Sequence, residues 1–141
     1  MAQTKILVVE DKGVITRDLK NRLKVLGYPS PATASSGTEA IKKAIQYHPD
    51  LLLIDIQLKG GLDGIKAAKL IHDRFDIPVI YLMEDADEEA LRNEKVIEPF
   101  YFILKPFEED SLHLSIERAL YKHKMGRLRK YFNESPRGQN S

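Results

Sequence analysis

The feature that most constrains the fold is a regular alternation between short apolar runs and longer segments with helical periodicity. The apolar runs are Ile6–Val9, Leu51–Ile54, Val79–Leu82 and Phe100–Leu104, with a shorter and more polar run near Pro31–Ser35. The four longer runs are nearly continuous in large apolar residues, which is typical of strands buried on both faces. The pattern therefore predicts a parallel sheet covered by helices on both sides, with the polar run as an edge strand.

Five helices are predicted to follow the five strands. The first ends at Gly27, the second begins at the capping-box sequence Ser36–Glu39, and Asp63 can cap the third. The fourth covers residues 87–96, and the fifth starts at Ser111. Five βα units in a chain of 141 residues fit a single α/β domain of ordinary size.

Three carboxylates directly follow two of the apolar runs. Glu10 and Asp11 come after the first run, and Asp55 follows the run that begins at Leu51. Ligands of parallel α/β sheets bind outside the carboxyl ends of the strands, so these acids should converge there and require a cation. Oxygen donors that leave room for water suit Mg²⁺. For Asp11 alone, the alternative is that it caps the first helix.

Lys105 follows the last apolar run and precedes Pro106. Its ammonium group can point to the same sheet edge and pair with a carboxylate or a phosphoryl oxygen; the alternative is a surface lysine before a turn. Together with the three acids, it indicates phosphoryl transfer to a carboxylate. One Asp would act as nucleophile, while a metal and the lysine neutralise the phosphoryl oxygens.

The sequence resembles the receiver domains of response regulators in two-component signalling. The resemblance is carried by ILVVED, LLLIDIQLKGGLDGIKAA, IPVIYL and YFILKPF, and it extends over about residues 4–124. It implies a flavodoxin-like (βα)5 fold, a doubly wound parallel sheet with strand order 2-1-3-4-5. It also implies phosphorylation by a histidine kinase or a phosphotransfer protein as partner.

The resemblance assigns roles to individual residues. The implied Mg²⁺ ligands are Glu10, Asp11, Asp55 and the main-chain carbonyl of Gln57. The implied phosphoacceptor is Asp55, the implied phosphoryl contact is Lys105, and the position of the aromatic switch residue is occupied by Phe102.

One position departs from the family pattern. The fourth strand of a receiver normally ends in Thr or Ser followed by a small residue, and that hydroxyl binds the phosphoryl group. Here Met83 and Glu84 occupy these positions. Two interpretations remain: Asp55 is phosphorylated but the switch is atypical, or the domain is a pseudo-receiver that acts through protein binding without phosphorylation. In a simpler alternative, Met83 packs in the core and Glu84 caps the fourth helix.

The C-terminal segment, residues 125–141, is predicted to be a helical extension followed by a linker or tail. Tyr121, Met125, Leu128 and Phe132 recur with heptad-like spacing among basic residues. The segment resembles connectors after receivers that precede sensor and kinase domains, so the chain can be part of a histidine kinase polypeptide. A homodimer would form through this helix or through the face of the fourth helix, fifth strand and fifth helix. Fraying of the last helix is the alternative.

The composition argues against a nucleic-acid-binding protein and against a membrane-spanning one. A net charge of +1 gives no general attraction to nucleic acid, and no run approaches the roughly 20 apolar residues of a membrane span. The lack of cysteine excludes disulfides, thiolate metal sites and cysteine nucleophiles and does not indicate a compartment. A cytoplasmic location is predicted because there is no signal-peptide pattern and no membrane span. A hydrolase with an Asp nucleophile would share the metal and lysine chemistry, but Gln57 occupies the position of its usual general acid.

Overall fold

A computed structural model describes residues 3–28, 31–58, 64–84, 101–105 and 108–134. The strands are β1 (Ile6–Val9), β2 (Ala32–Ala34), β3 (Leu51–Asp55), β4 (Val79–Met83) and β5 (Tyr101–Leu104). The helices are α1 (Gly13–Val25), α2 (Gly37–Tyr47), α3 (Gly64–Phe75) and the C-terminal helix (Glu109–Glu134). The predictions for Asp63, Pro106 and a helix over 87–96 fall outside the described residues.

The five strands form one sheet in the order β2-β1-β3-β4-β5, and every neighbouring pair is parallel. This confirms the doubly wound, flavodoxin-like fold class. The short polar strand β2 lies at one edge, as its composition predicts. Because all strands run the same way, the residues that follow β1, β3, β4 and β5 meet at one carboxyl edge.

Alternate strand residues face two separate apolar layers, which explains why the strands are nearly continuous in apolar residues. Leu7 and Val9 of β1 pack in the layer that contains α2 and α3. Ile6 and Val8 pack in the layer that contains α1 and the C-terminal helix. Both faces of the sheet are therefore covered by apolar packing.

The helix boundaries follow local capping chemistry. Gly27 adopts φ +99° after α1, where the Tyr28 amide donates to the Leu23 carbonyl, as in a Schellman motif. Ser36 Oγ accepts the Glu39 amide at 3.1 Å and so caps α2, as predicted. The N-cap of α1 is Lys12 and makes no side-chain cap hydrogen bond, so the alternative of Asp11 as the cap is wrong.

The C-terminal helix begins at Glu109, two residues before the predicted start at Ser111. Glu109 and Asp110 lie in its first turn, where acidic side chains favour the positive end of the helix dipole. The helix then continues unbroken to Glu134, across the predicted domain boundary at residue 124. None of the helices in the described ranges has both the length and the apolar character needed to cross a membrane.

Candidate functional site

The predicted convergence of the three acids is observed at the carboxyl edge of the sheet. Val9 of β1 lies opposite Ile54 of β3, so the next residues, Glu10 and Asp55, lie side by side. Carboxylate oxygens of Glu10, Asp11 and Asp55 lie within 4.8 Å of one another. Within the described ranges, no other group of at least three His, Cys, Asp or Glu residues converges in this way.

Lys105 completes the cluster from the end of β5. Its Nζ atom lies 3.1 Å from Glu10 Oε2 and 3.2 Å from Asp55 Oδ2, so one ammonium group bridges both buried carboxylates. The Lys105 amide donates to the Met83 carbonyl at 2.9 Å, which continues the pairing of β5 with β4. The sheet itself thus directs the lysine toward the acids.

Backbone amides fix the second oxygen of each buried carboxylate. The Gln57 amide donates to Asp55 Oδ1 at 3.0 Å, and the Lys12 amide donates to Glu10 Oε1 at 3.3 Å. Each of these carboxylates therefore accepts one backbone hydrogen bond and one from Lys105. These hydrogen bonds set the orientation of the Asp55 carboxylate, whereas the role of the Gln57 carbonyl stays a prediction.

The four side chains of the site carry more negative than positive formal charge. Three acids and one lysine give a formal charge of −2 when all are ionised, and Glu10 and Asp55 are only 2% and 3% exposed. Burial, and next the charge of Asp55, raise the pKa of Glu10 to about 7, although Lys105 opposes this. Such a cluster of oxygen donors fits a divalent cation of the Mg²⁺ type.

Lys105 remains charged within this cluster. Burial alone would lower the pKa of its ammonium group, but the hydrogen bond to Glu10 and the charge of Asp55 outweigh burial and raise that pKa. Its side chain is 11% exposed. The lysine is therefore a permanent positive charge that a group bound at Asp55 would meet.

Gly64, at the start of α3, is a site residue that the sequence patterns do not indicate. A Cβ atom at this position would overlap the carbonyl oxygen of Asp55, so the first turn of α3 packs directly on the Asp55 backbone. The only sequence signal is the glycine that ends the loop after β3. Gly64 therefore contributes to the position of Asp55 through close backbone packing.

The three proposed switch residues are not members of the acidic cluster. Met83 is buried and packs in the same apolar layer as Tyr81, so the alternative that it is a core residue is observed. Glu84 is exposed. Phe102 is 41% exposed, and its ring stacks on Tyr81 with 5.7 Å between ring centroids.

The fold and the acidic edge together define a receiver-type α/β domain. The sequence profile of the response regulator receiver domain matches residues 6–117, and the chain belongs to this family of two-component signalling proteins. It is 34% identical over 131 residues to the phyllosphere-induced regulator PhyR of Methylorubrum extorquens. That alignment covers 92% of this chain and 48% of PhyR, so the chain spans about half the length of this relative.

Solved structures show the same likeness. The signal receiver domain of a modulated diguanylate cyclase from Desulfovibrio desulfuricans G20 is 34% identical, with a TM-score of 0.82, over 89% of this chain and 99% of that one. The N-terminal domain of a response regulator/sensory box/GGDEF three-domain protein from Carboxydothermus hydrogenoformans is 32% identical, with a TM-score of 0.72. That match covers 87% of this chain and 98% of the other.

Proposed function

We propose that this domain accepts a phosphoryl group on Asp55, in a Mg²⁺-dependent reaction, from a histidine kinase or a phosphotransfer protein in the cytoplasm. The observation that carries the proposal is the position of Asp55. Its two oxygens are held by the Lys105 ammonium group and the Gln57 amide, next to Glu10 and Asp11. A buried carboxylate in this setting is a directed nucleophile rather than a surface acid.

The residues that would hold Mg²⁺ are Glu10, Asp11, Asp55 and the main-chain carbonyl of Gln57. Two features support this choice: the formal charge of the site is −2, and all of these ligand atoms are oxygens. When bound, Mg²⁺ would neutralise charge on the oxygens of the incoming phosphoryl group.

The remaining chemistry is carried by side chains of the chain itself. A carboxylate oxygen of Asp55 forms the new P–O bond while the bond between phosphorus and the donor's leaving group breaks, and the leaving group keeps that electron pair. Lys105, which pairs with Asp55 and Glu10 at 3.2 and 3.1 Å, can transfer a hydrogen bond to a phosphoryl oxygen. The Gln57 amide holds the other Asp55 oxygen throughout.

The test is the intact mass of the protein after incubation with acetyl phosphate and Mg²⁺. We expect one added phosphoryl group in the wild type, and none in Asp55→Asn. Asp73→Asn, at an exposed position on α3, is the matched control and should be labelled like the wild type. An unchanged wild-type mass over a range of acetyl phosphate concentrations would contradict the proposal.

A second candidate function is a pseudo-receiver that binds a protein partner without phosphorylation. The observation that favours it is the end of β4, where Met83 provides no hydroxyl and is buried in the core. The half-exposed Phe102 would then be part of a permanent binding surface with the C-terminal helix. A partner that binds wild type and Asp55→Asn equally, with or without acetyl phosphate, would select this function.

We also propose that residues 4–124 form the receiver domain and that residues 125–141 lead away from it as a connector. Leu128 and Phe132 are 44% and 63% exposed on the unbroken C-terminal helix. A similar domain is the N-terminal part of a three-domain protein. A homodimer through this helix remains a prediction, which sedimentation of the chain with and without residues 125–141 would test.

A further inference from the structure

A second cluster of charged side chains lies near the amino ends of the strands, opposite the carboxyl ends that hold the acidic site. α3 ends there, just before β4 begins, and the C-terminal helix passes alongside. A cavity of about 210 Å³ lies between these two elements. Since an ordered water needs only about 10–15 Å³ of such space, the cavity has room for a small molecule.

Three of the six polar residues that line this cavity are cationic. The C-terminal helix contributes Lys122, Arg127 and Lys130, and the lining acid is Asp76. The formal charge of these four residues is +2, before any contribution from the histidines. The cavity is therefore suited to an anion, in contrast to the acidic site at the other edge.

Within the part of the chain that the structure describes, Arg127 forms a weak ion pair with Asp76. Asp76 lies 3.2 Å from His123 Nε2 and 3.8 Å from Arg127 Nε. The Arg127 and Asp76 side chains are 71% and 65% exposed, so solvent screens this pair. A ligand with two oxygens in the geometry of a phosphate could bind the planar guanidinium group of Arg127 in a bidentate manner.

Small and apolar residues form part of the cavity wall. Gly126 lies in the interior of the C-terminal helix, where glycine is disfavoured, yet a Cβ atom there would meet nothing within 4 Å. No close packing requires this glycine, and the missing side chain keeps the cavity open. Pro78 and Ala119 provide apolar wall, and a hydrogen bond from His72 Nδ1 to the Ile77 carbonyl at 3.1 Å holds the imidazole ring in place.

We propose that this cavity binds a phosphate-class anion, either inorganic phosphate or the phosphate group of a small organic monoester. Lys122, Arg127 and Lys130 would bind the anion, and the apolar wall would contact an organic group. The site is independent of phosphorylation at Asp55. All three cations belong to the C-terminal helix, so anion binding would act directly on the helix that we propose leads away from the receiver domain.

The test is a titration of the full chain followed by amide NMR shifts, at constant ionic strength and without divalent cations. Inorganic phosphate and phenyl phosphate are the two probes. We expect saturable shifts around Asp76 and along 119–130, with little change near Asp55. Tighter binding of phenyl phosphate would identify an organic monoester as the ligand class, and equal binding would identify phosphate itself.

Four variants separate a built site from general attraction to a basic helix. Arg127→Gln should weaken binding about fivefold, whereas Arg129→Gln, on the same helix but outside the cavity lining, should change it less than about twofold. Asp76→Asn should tighten binding about fivefold, and Asn tolerates the φ of +54° at this position. Gly126→Leu should abolish saturation without changing the charge.

Shifts that never saturate, or that are the same in Gly126→Leu as in the wild type, would overturn the proposal. Equal effects of Arg127→Gln and Arg129→Gln would also overturn it. If Gly126→Leu fails to fold by circular dichroism, the opposite effects of Arg127→Gln and Asp76→Asn still decide the outcome.

Discussion

Two neighbouring parts of the carboxyl edge differ in how fully they are equipped for phosphate chemistry. At the ends of β1, β3 and β5, Glu10, Asp55 and Lys105 form a buried, mutually hydrogen-bonded cluster. At the end of β4, Met83 is a core side chain without a polar group, and Phe102 lies half-exposed on β5. The charged groups of the cluster are thus held together by hydrogen bonds, whereas Met83 at the end of β4 offers no hydroxyl to a group bound at Asp55.

The largest expected effect comes from removing the cation of the acidic cluster. Lys105→Met leaves Glu10 and Asp55 buried without their bridging partner, which should cost about 3 kcal/mol of unfolding free energy at pH 8 without Mg²⁺. The cost should be smaller at pH 6, because Glu10 can then take up a proton. Urea unfolding measures both values, and the exposed Lys20→Met is the control, with an expected change within about 0.5 kcal/mol. A loss at pH 8 no larger than the control's would contradict the buried ion pairs.

The next effect tests the close packing behind Asp55. Gly64→Ala places a methyl group against the Asp55 carbonyl, so we expect a loss of about 2 kcal/mol and slower phosphorylation. Gly126→Ala is the matched control in an open position and should be neutral or stabilising by up to about 1 kcal/mol. Chemical unfolding and the rate of labelling by acetyl phosphate are the two measurements. Equal stabilities of the two variants would show that α3 does not hold Asp55 in place.

A smaller effect concerns pH. The pKa of Glu10 is raised from 4.5 to about 7 in the folded protein, so its contribution to stability is fully present below pH 4.5 and is lost as the pH rises through 7. Without Mg²⁺, stability should fall by about 1 kcal/mol between pH 6 and pH 8 from this group. Mg²⁺ requires the ionised carboxylate, so the increase in Tm that it causes should be larger at pH 8 than at pH 6.

The control for this pH dependence is Glu10→Gln, which cannot titrate. Its stability without Mg²⁺ should change less than that of the wild type between pH 6 and pH 8. If Mg²⁺ raises the Tm of the wild type and of Glu10→Gln equally at both pH values, Glu10 is not part of the metal site.

The strands could be predicted from the sequence because burial on both faces leaves a simple apolar signature. Ile6–Val9 matches β1 in full, whereas β3 extends one residue beyond its apolar run, to Asp55. The sheet is formed by backbone hydrogen bonds, such as that from the Ile56 amide to the Leu82 carbonyl at 3.2 Å, and these do not depend on side-chain polarity. The order of the strands, in contrast, was available only from the resemblance to a family.

The acidic cluster was predictable because each of its members lies within two residues of the end of an apolar run. The cationic cavity was not, because Asp76 and His123 are far apart in the chain and belong to no shared motif. Only the packing of the C-terminal helix beside the end of α3 brings them together. The pKa of Glu10 likewise depends on burial and on the charge of Asp55, which spacing along the chain does not determine.

The smallest expected effect is also the most direct test of the difference between the two parts of the edge. Met83→Thr restores a hydroxyl at the end of β4, and Met83→Ala removes the same side chain without adding one. All three proteins are treated with acetyl phosphate and Mg²⁺, and the phosphorylated fraction is measured by intact mass in the samples used for NMR. We expect equal phosphorylation of all three. The amide shift of Phe102 should respond clearly in Met83→Thr only.

This comparison of phosphorylated fraction with the Phe102 shift is the decisive measurement. Wild-type protein that carries the phosphoryl group while Phe102 stays unchanged would support a complete acceptor site with an atypical switch. An unphosphorylated wild type, or a full Phe102 response in the wild type and in Met83→Ala, would contradict it.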